Sequence, residues 1–502
     1  MRPHYSVRVF FDVEADRLLA AARRTTEPVA AARLTAEAFF HVSRTADPAA
    51  LAPLADRLSA LRSDPARPQI EALFHTVAGV VGVRTRKAHA TRHLETAQRL
   101  IETHGLHSDP LYLECALLGS LTLMRPQETR PRYAHLVAQA DTDPARRARL
   151  VSMLGLGDAW SGDLLRGRAE LHEARRLARA AQRLDIEAEA TSWLVKVEAM
   201  CGDLAASAAC LAQARDLAAR SGSRWVAAHI AECASVLHLA SGDTDAWLGI
   251  LEFLVGTVVG ANSGLIFEHR WELATHYALH DRADAAAALL AAMPDPPLGW
   301  PGAPALPAWR AWISEPADPA AMARFETSLA GLNRPVERLS RPRMAWLLGA
   351  QHARLGRRAD ATRLLEAACT GYAAIGAAGL LTRVMADLQH LSAPGGRTVT
   401  VPRPRRPVPG LEDGLPVTSP SAPSPAQTHA ARGSVPDGQR LTEAETRVAQ
   451  AVSGGLSNRE AAELLGVSAK TVEFHLGNIF RKLGVRNRTE LAATTSTLRL
   501  GA

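Results

Sequence analysis

Three Gly-Asp pairs, Gly162-Asp163, Gly202-Asp203 and Gly242-Asp243, stand at a constant spacing of 40 residues. Between them apolar residues recur at three and four, the pattern of amphipathic helices. Glycine ends a helix by taking positive φ at no steric cost, so each pair marks the tip of a helical hairpin. Ala174 and Ala214 follow the first two glycines by twelve residues, and Ala368 follows Gly356 by the same distance. A small residue there lets the second helix of each hairpin pack closely. No single hairpin can bury its own apolar face, so the units must stack into a solenoid.

The array resembles tetratricopeptide repeats, although its period exceeds their usual length of about 34. It is expected to span residues 91–391, after an N-terminal helical region, 1–90. The Pro-rich segments LPAW and EPADPAA near residues 306–320 are expected to interrupt it. The one strand-like run is Tyr5–Val13, YSVRVFFDV, which resembles the first strand of a phosphate-receiver domain. No further β-runs follow to build a parallel sheet, so that reading is rejected.

Composition narrows the class. Apolar content is 47% and charged content 22%, ordinary for a globular protein. The five cysteines, Cys115, Cys201, Cys210, Cys233 and Cys369, include no pair at zinc-finger spacing. They read as reduced core thiols of an intracellular protein. The N-terminus lacks the apolar core of a signal peptide, and no apolar stretch is long enough to span a membrane. A cytoplasmic, nucleoid-associated protein is expected.

The net charge of +7 is uneven. Residues 392–440 carry six Arg against three acids, and residues 441–502 carry eight Arg/Lys against six acids. The first of these segments is dense in proline (Pro402, Pro404, Pro407 and Pro409 among others) mixed with Ser, Gly and Arg. Such a composition cannot bury enough apolar surface to order itself, so 392–440 is expected to be a disordered linker.

Residues 441–502 form a second folding unit. Capping boxes open three helices: Thr442-x-x-Glu445, Ser457-x-x-Glu460 and Asn487-x-x-Glu490. Ser468 starts a fourth. The expected helices are 443–453, 458–465, 469–483 and 488–498, with the short turn Gly466-Val467-Ser468 joining the second and third. That is helix-turn-helix spacing. On the third helix Val472, Leu476, Ile479 and Leu483 share one stripe and should face the core, against Ala461, Leu464 and Leu465. Opposite lie Lys470, Phe474, Gly477 and Arg481, flanked by Glu473 and Asn478. A phenylalanine beside a glycine on a polar face suits a helix pressed into a DNA major groove. Glycine permits close approach, Phe can touch a thymine methyl, and Glu can accept from cytosine N4. The alternative for this face alone is a solvated side of a small bundle.

Residues 441–491, LTEAETRVAQAVSGGLSNREAAELLGVSAKTVEFHLGNIFRKLGVRNRTEL, resemble the C-terminal DNA-binding domain of LuxR-type (LuxR/FixJ) bacterial transcription regulators. The resemblance implies that Lys470 and Thr471 contact phosphate at the start of the recognition helix. It places Glu473, Phe474 and Gly477 at base edges, with Asn478 and Arg481 beside them. Ser457, Asn458 and Arg459, like Ser468, stand at helix starts that favour phosphate. Ala444 stands where the family favours Arg, and Ala461 where it favours Ile. Gly477 has no side chain where some members place Lys. The partners implied are promoter double-stranded DNA, a second copy through helix 488–498, RNA polymerase, and a small-molecule or protein effector.

Residues 337–384 also resemble the helical repeat of large MalT-like regulators. Those carry an ATPase, but this chain has no G-x-x-x-x-G-K-[ST] and no Gly-Lys pair, so nucleotide gating is not expected. No cofactor, metal or catalytic residue is expected, and the chain is not read as an enzyme. The nearest enzyme-like pattern is Glu268, Glu272, His276 and His280, of which the last three step by four along a helix; a solvated or pocket-lining face is the better reading. The competing function is a helical-repeat scaffold, tethered to DNA, whose main activity is binding a partner protein.

Overall fold

The computed structural model describes residues 12–256 and 267–392, apart from 44–47, 64, 86, 88, 141, 222–223, 281, 294–295 and 297–299. It also describes Val448, Asn458, Ala462, Val472, Leu476 and Ile479. Among the described residues every regular element is helical and there is no strand. The chain divides into two compact units, Met1–Thr418 and Ser419–Ala502. The linker 392–440 lies almost wholly outside the described residues. So does the start of the Tyr5–Val13 run, whose last two residues open the helix Asp12–Arg24.

The Gly-Asp pairs are the tips of hairpins. Helix Leu184–Cys201 ends at Gly202, whose φ is +93°, and Leu204–Ser221 follows. The Gly202 N–H donates to the Ala199 carbonyl at 3.1 Å, and the Asp203 N–H to the Glu198 carbonyl at 3.0 Å. This paired arrangement is a Schellman cap, which satisfies carbonyls the helix end leaves open. The same pair of bonds recurs at Gly162, Gly242, Gly356 and Gly376. The aspartates add a second device that the spacing alone does not reveal. Asp163, Asp203 and Asp243 accept from the backbone N–H three residues on, at 3.2, 2.9 and 3.1 Å, and so cap the following helix. Each dipeptide thus ends one helix and starts the next. Ala174, Ala214 and Ala368 are fully buried, as close hairpin packing requires.

The Pro-rich segments do not interrupt the array, contrary to the sequence expectation. Leu306–Ser314 and Pro319–Ala330 are both helices with proline in the first turn, where its missing N–H costs nothing. Asp318 caps the second, accepting from Ala320 and Ala321 at 3.0 and 2.9 Å. Trp309 and Trp312 are buried in the common core. That core runs without a break from Ala32 to Leu391. All five cysteines are free thiols, with Cys115, Cys210 and Cys233 buried. Among the described residues no helix is long and apolar enough to cross a membrane.

The array curls until its last helix meets its middle. Helix Ala378–Ser392 packs on Leu184–Cys201 and on Arg224–Ser241. A Cβ on Gly379 would stand 2.1 Å from the Ala199 carbonyl oxygen, so only glycine allows this crossing. Gly379→Ala is therefore expected to destabilise the helical region by about 1–3 kcal/mol through forced separation of two backbones. Gly249 is exposed within helix Thr244–Gly256 and has nothing within 4 Å of its added Cβ. Gly249→Ala should instead stabilise, by about 0.5–1 kcal/mol. Thermal melts of the two variants should move in opposite directions.

Candidate functional site

In the C-terminal unit the described residues report on three of the expected helices. Val448, Asn458, Ala462, Val472, Leu476 and Ile479 are all helical. Val472 and Ile479 are fully buried, and Leu476 is 7% exposed. Their spacing of four and three places them on one side of a single helix, the side the sequence pattern turned inward. Val448 and Ala462, from the two preceding helices, are buried as well. Asn458 is partly exposed, as befits the first residue of helix 458–465. The other expected DNA-contacting residues, Ser457, Arg459, Ser468, Lys470, Thr471, Glu473, Phe474, Gly477, Asn478 and Arg481, lie outside the described residues. So does the dimer helix 488–498.

The curled array holds a cavity of about 430 Å³ that is partly open to solvent. Its walls are aromatic and aliphatic, including Trp160, Trp193, Trp247 and Leu239, and a group of charged side chains is set into one part of them. Lys196, from helix Leu184–Cys201, donates to Glu232 of Arg224–Ser241 at 2.8 Å. Burial opposes the ammonium, but Glu232 more than compensates and holds the Lys196 pKa above its ordinary value. Burial likewise opposes the Glu232 carboxylate, yet Lys196 first, then the His229 and His269 imidazoles 3.4 and 3.9 Å away, hold it well below the usual range. Arg343, from Ser340–Arg354, donates to Glu272 at 2.7 Å and lies over the Trp346 and Trp247 rings at 4.7 and 5.4 Å. Glu268 sits one turn before Glu272. Burial first, then the Glu272 charge, push its pKa up. Tyr372 is 1% exposed and its hydroxyl, like His269 Nδ1, has no hydrogen-bond partner.

None of these cavity residues except Glu268 and Glu272 was legible as functional in the sequence. A signal did exist at Lys196. It is one of four lysines in an Arg-rich chain, and it interrupts the apolar run Trp193-Leu194-Val195-Lys196-Val197.

The Glu272, His276, His280 ladder is not assembled as a chelate. Glu272 is taken by Arg343. His276 stacks on His280 at 4.1 Å between ring centroids, and burial, then the second ring, depress its pKa to about 3. A different trio, His229, Glu232 and Cys233, brings three donor atoms within 4.8 Å of one another. Its carboxylate already binds Lys196, and burial, followed by the Glu232 charge, keeps the Cys233 thiol protonated.

Residues 439–495 match the family model described as bacterial regulatory proteins, luxR family. The same part of the chain is similar to curated regulators. It is 46% identical over 52 residues to the transcriptional regulatory protein UhpA of Escherichia coli, covering 10% of this chain and 26% of that protein. It is 46% identical over 54 residues to the nitrate/nitrite response regulator protein NarP of Escherichia coli, covering 11% and 24%. It is 46% identical over 52 residues to the transcriptional regulatory protein LnrK of Bacillus subtilis, covering 10% and 24%. The chain thus spans about a quarter of the length of these relatives.

Proposed function

We propose that this chain, which carries a LuxR-family helix-turn-helix domain at its C-terminus, is a sequence-specific transcriptional regulator whose helical region is a sensor. The observation that carries the reading is the buried stripe Val472, Leu476 and Ile479 inside the matched segment. With that side turned inward, the opposite side of the expected helix 469–483, bearing Lys470, Phe474, Gly477 and Arg481, would be the one to enter the major groove. Helix 488–498 would pair two copies on a repeated site, in the cytoplasm and on promoter DNA. RNA polymerase is the further partner such a regulator would contact.

The cavity, about 430 Å³ and partly open to solvent, has the size of a small-molecule site, which favours a small effector over a partner chain as what the helical region senses.

The two kinds of contact on the recognition helix separate in a binding experiment. Lys470, in the first turn, should meet a phosphate, which positions but does not specify. Lys470→Ala is expected to weaken binding to every sequence and to reduce the salt slope by about one. Glu473 should accept from a base, so Glu473→Ala is expected to change the preferred base at one position per half-site, by about 1–3 kcal/mol. A panel of operator variants titrated with each protein tests both. Altered base preference in Lys470→Ala, with uniform weakening in Glu473→Ala, would rule out this docking of the helix.

A further inference from the structure

We infer that the cavity takes a small organic ammonium ion with a largely apolar body, its N–H group held between Glu268 and Tyr372. This rests on reading the helical region as a sensor and names what it senses.

Three carboxylates, Glu232, Glu268 and Glu272, share one part of the cavity wall with Lys196, Arg343 and the imidazoles of His229 and His269. Lys196 pairs with Glu232 at 2.8 Å, and Arg343 with Glu272 at 2.7 Å. Each cation feels Glu268 only as a more distant charge. Among the described residues none forms an ion pair with Glu268. Of the three carboxylates Glu268 is thus the one open to a cationic ligand, in a partly buried place where pairing is favourable.

The Tyr372 hydroxyl, buried and without a hydrogen-bond partner, belongs to the same cavity lining. An unsatisfied buried hydroxyl is rare and marks a place where a hydrogen-bonding ligand fits. An ammonium N–H can donate both to the Glu268 carboxylate and to the Tyr372 oxygen. The rest of the cavity, bordered by Trp160, Trp193 and Trp247, suits an apolar body. An anion would be repelled by Glu268, and a neutral body would leave that carboxylate without an ion pair. A divalent metal at His229, Glu232 and Cys233 is the competing occupant, but it would have to contend with Lys196 on the carboxylate and remove the Cys233 proton.

Tryptophan fluorescence of the full-length protein, with no DNA present, reads the cavity directly through Trp160, Trp193 and Trp247. The probes are 4-phenylbutylamine, 4-phenylbutanol and 4-phenylbutyrate, alike in body and different in charge. The amine is expected to bind at least roughly tenfold tighter than the other two, the worth of one charge-assisted contact. Glu268→Gln should abolish that preference without lowering the melting temperature, because Glu268 forms no ion pair with the described residues that the substitution would break. Equal affinity for amine and alcohol, tighter binding of the carboxylate, no binding of any probe, or an unchanged preference in Glu268→Gln would each overturn the inference. Stoichiometric zinc binding that the amine does not oppose would give the cluster to a metal instead. Because DNA is absent, failure here leaves the DNA-binding reading untouched, and failure to bind DNA leaves this result standing.

Discussion

Arg149→Ala is expected to destabilise the helical region by about 3–5 kcal/mol, the usual cost of stranding one member of a buried ion pair. Arg149 is 2% exposed and Glu114 is fully buried. The pair is bidentate, with Arg149 Nε donating to Glu114 Oε1 at 2.5 Å and Nη2 to Oε2 at 3.1 Å. The two side chains join helix Pro110–Thr122 to helix Pro144–Trp160 across the core. Without the guanidinium, Glu114 keeps only Arg146, whose Nε lies 3.4 Å away and which is shared with Glu37. Replacing both partners, as Glu114→Leu with Arg149→Met, removes the stranded charge and should recover most of the loss. Arg176 and Glu173 make an equally well-formed pair on the surface, and Arg176→Ala should leave the melting temperature where it was. A melt in which Arg149→Ala and Arg176→Ala behaved alike would contradict the packing described here.

The hairpins were readable because their tips use a residue type that the backbone demands. A helix that must turn back through positive φ calls for glycine, and Gly162, Gly202 and Gly242 announced the repeat. The closure of the array was not readable. It depends on Gly379 meeting the Ala199 carbonyl, a contact between residues 180 apart that no local period encodes. The Pro-rich segment misled because proline reads as a break unless it falls in the first turn, and position within a turn depends on a cap such as Asp318. The cavity was hidden for a related reason. A helix in a curled array has both an outer and an inner polar face, and a 3.6-residue period cannot tell Glu268 facing a cavity from a glutamate facing bulk solvent. The recognition helix was the opposite case. Its inward stripe has the simplest possible pattern, and Val472, Leu476 and Ile479 are buried as that pattern requires. The DNA-contacting residues themselves were legible only through the family motif.

Val472→Asp should unfold the C-terminal domain and abolish DNA binding at every sequence and salt concentration. Val472 is fully buried. A carboxylate placed there would leave water, and burying such a group without a partner costs several kcal/mol. A domain of some 60 residues has about 3–9 kcal/mol in total to lose. The helical region forms a separate compact unit with its own core and should keep its melting transition. Limited proteolysis would then clip the variant within residues 441–502 while leaving the helical region intact. Val472→Ile, which keeps the apolar character, should retain binding. A Val472→Asp protein that still bound DNA with wild-type affinity would mean that this stripe does not face the core.

Promoter binding through the C-terminal helix-turn-helix is tested by a footprint of the full-length protein on the DNA upstream of its own gene, repeated across a salt series. A protected site of two half-sites is expected at low salt, with affinity falling steeply as salt rises because released counterions supply much of the binding. No protection at low salt, or protection that ignores salt, would contradict it.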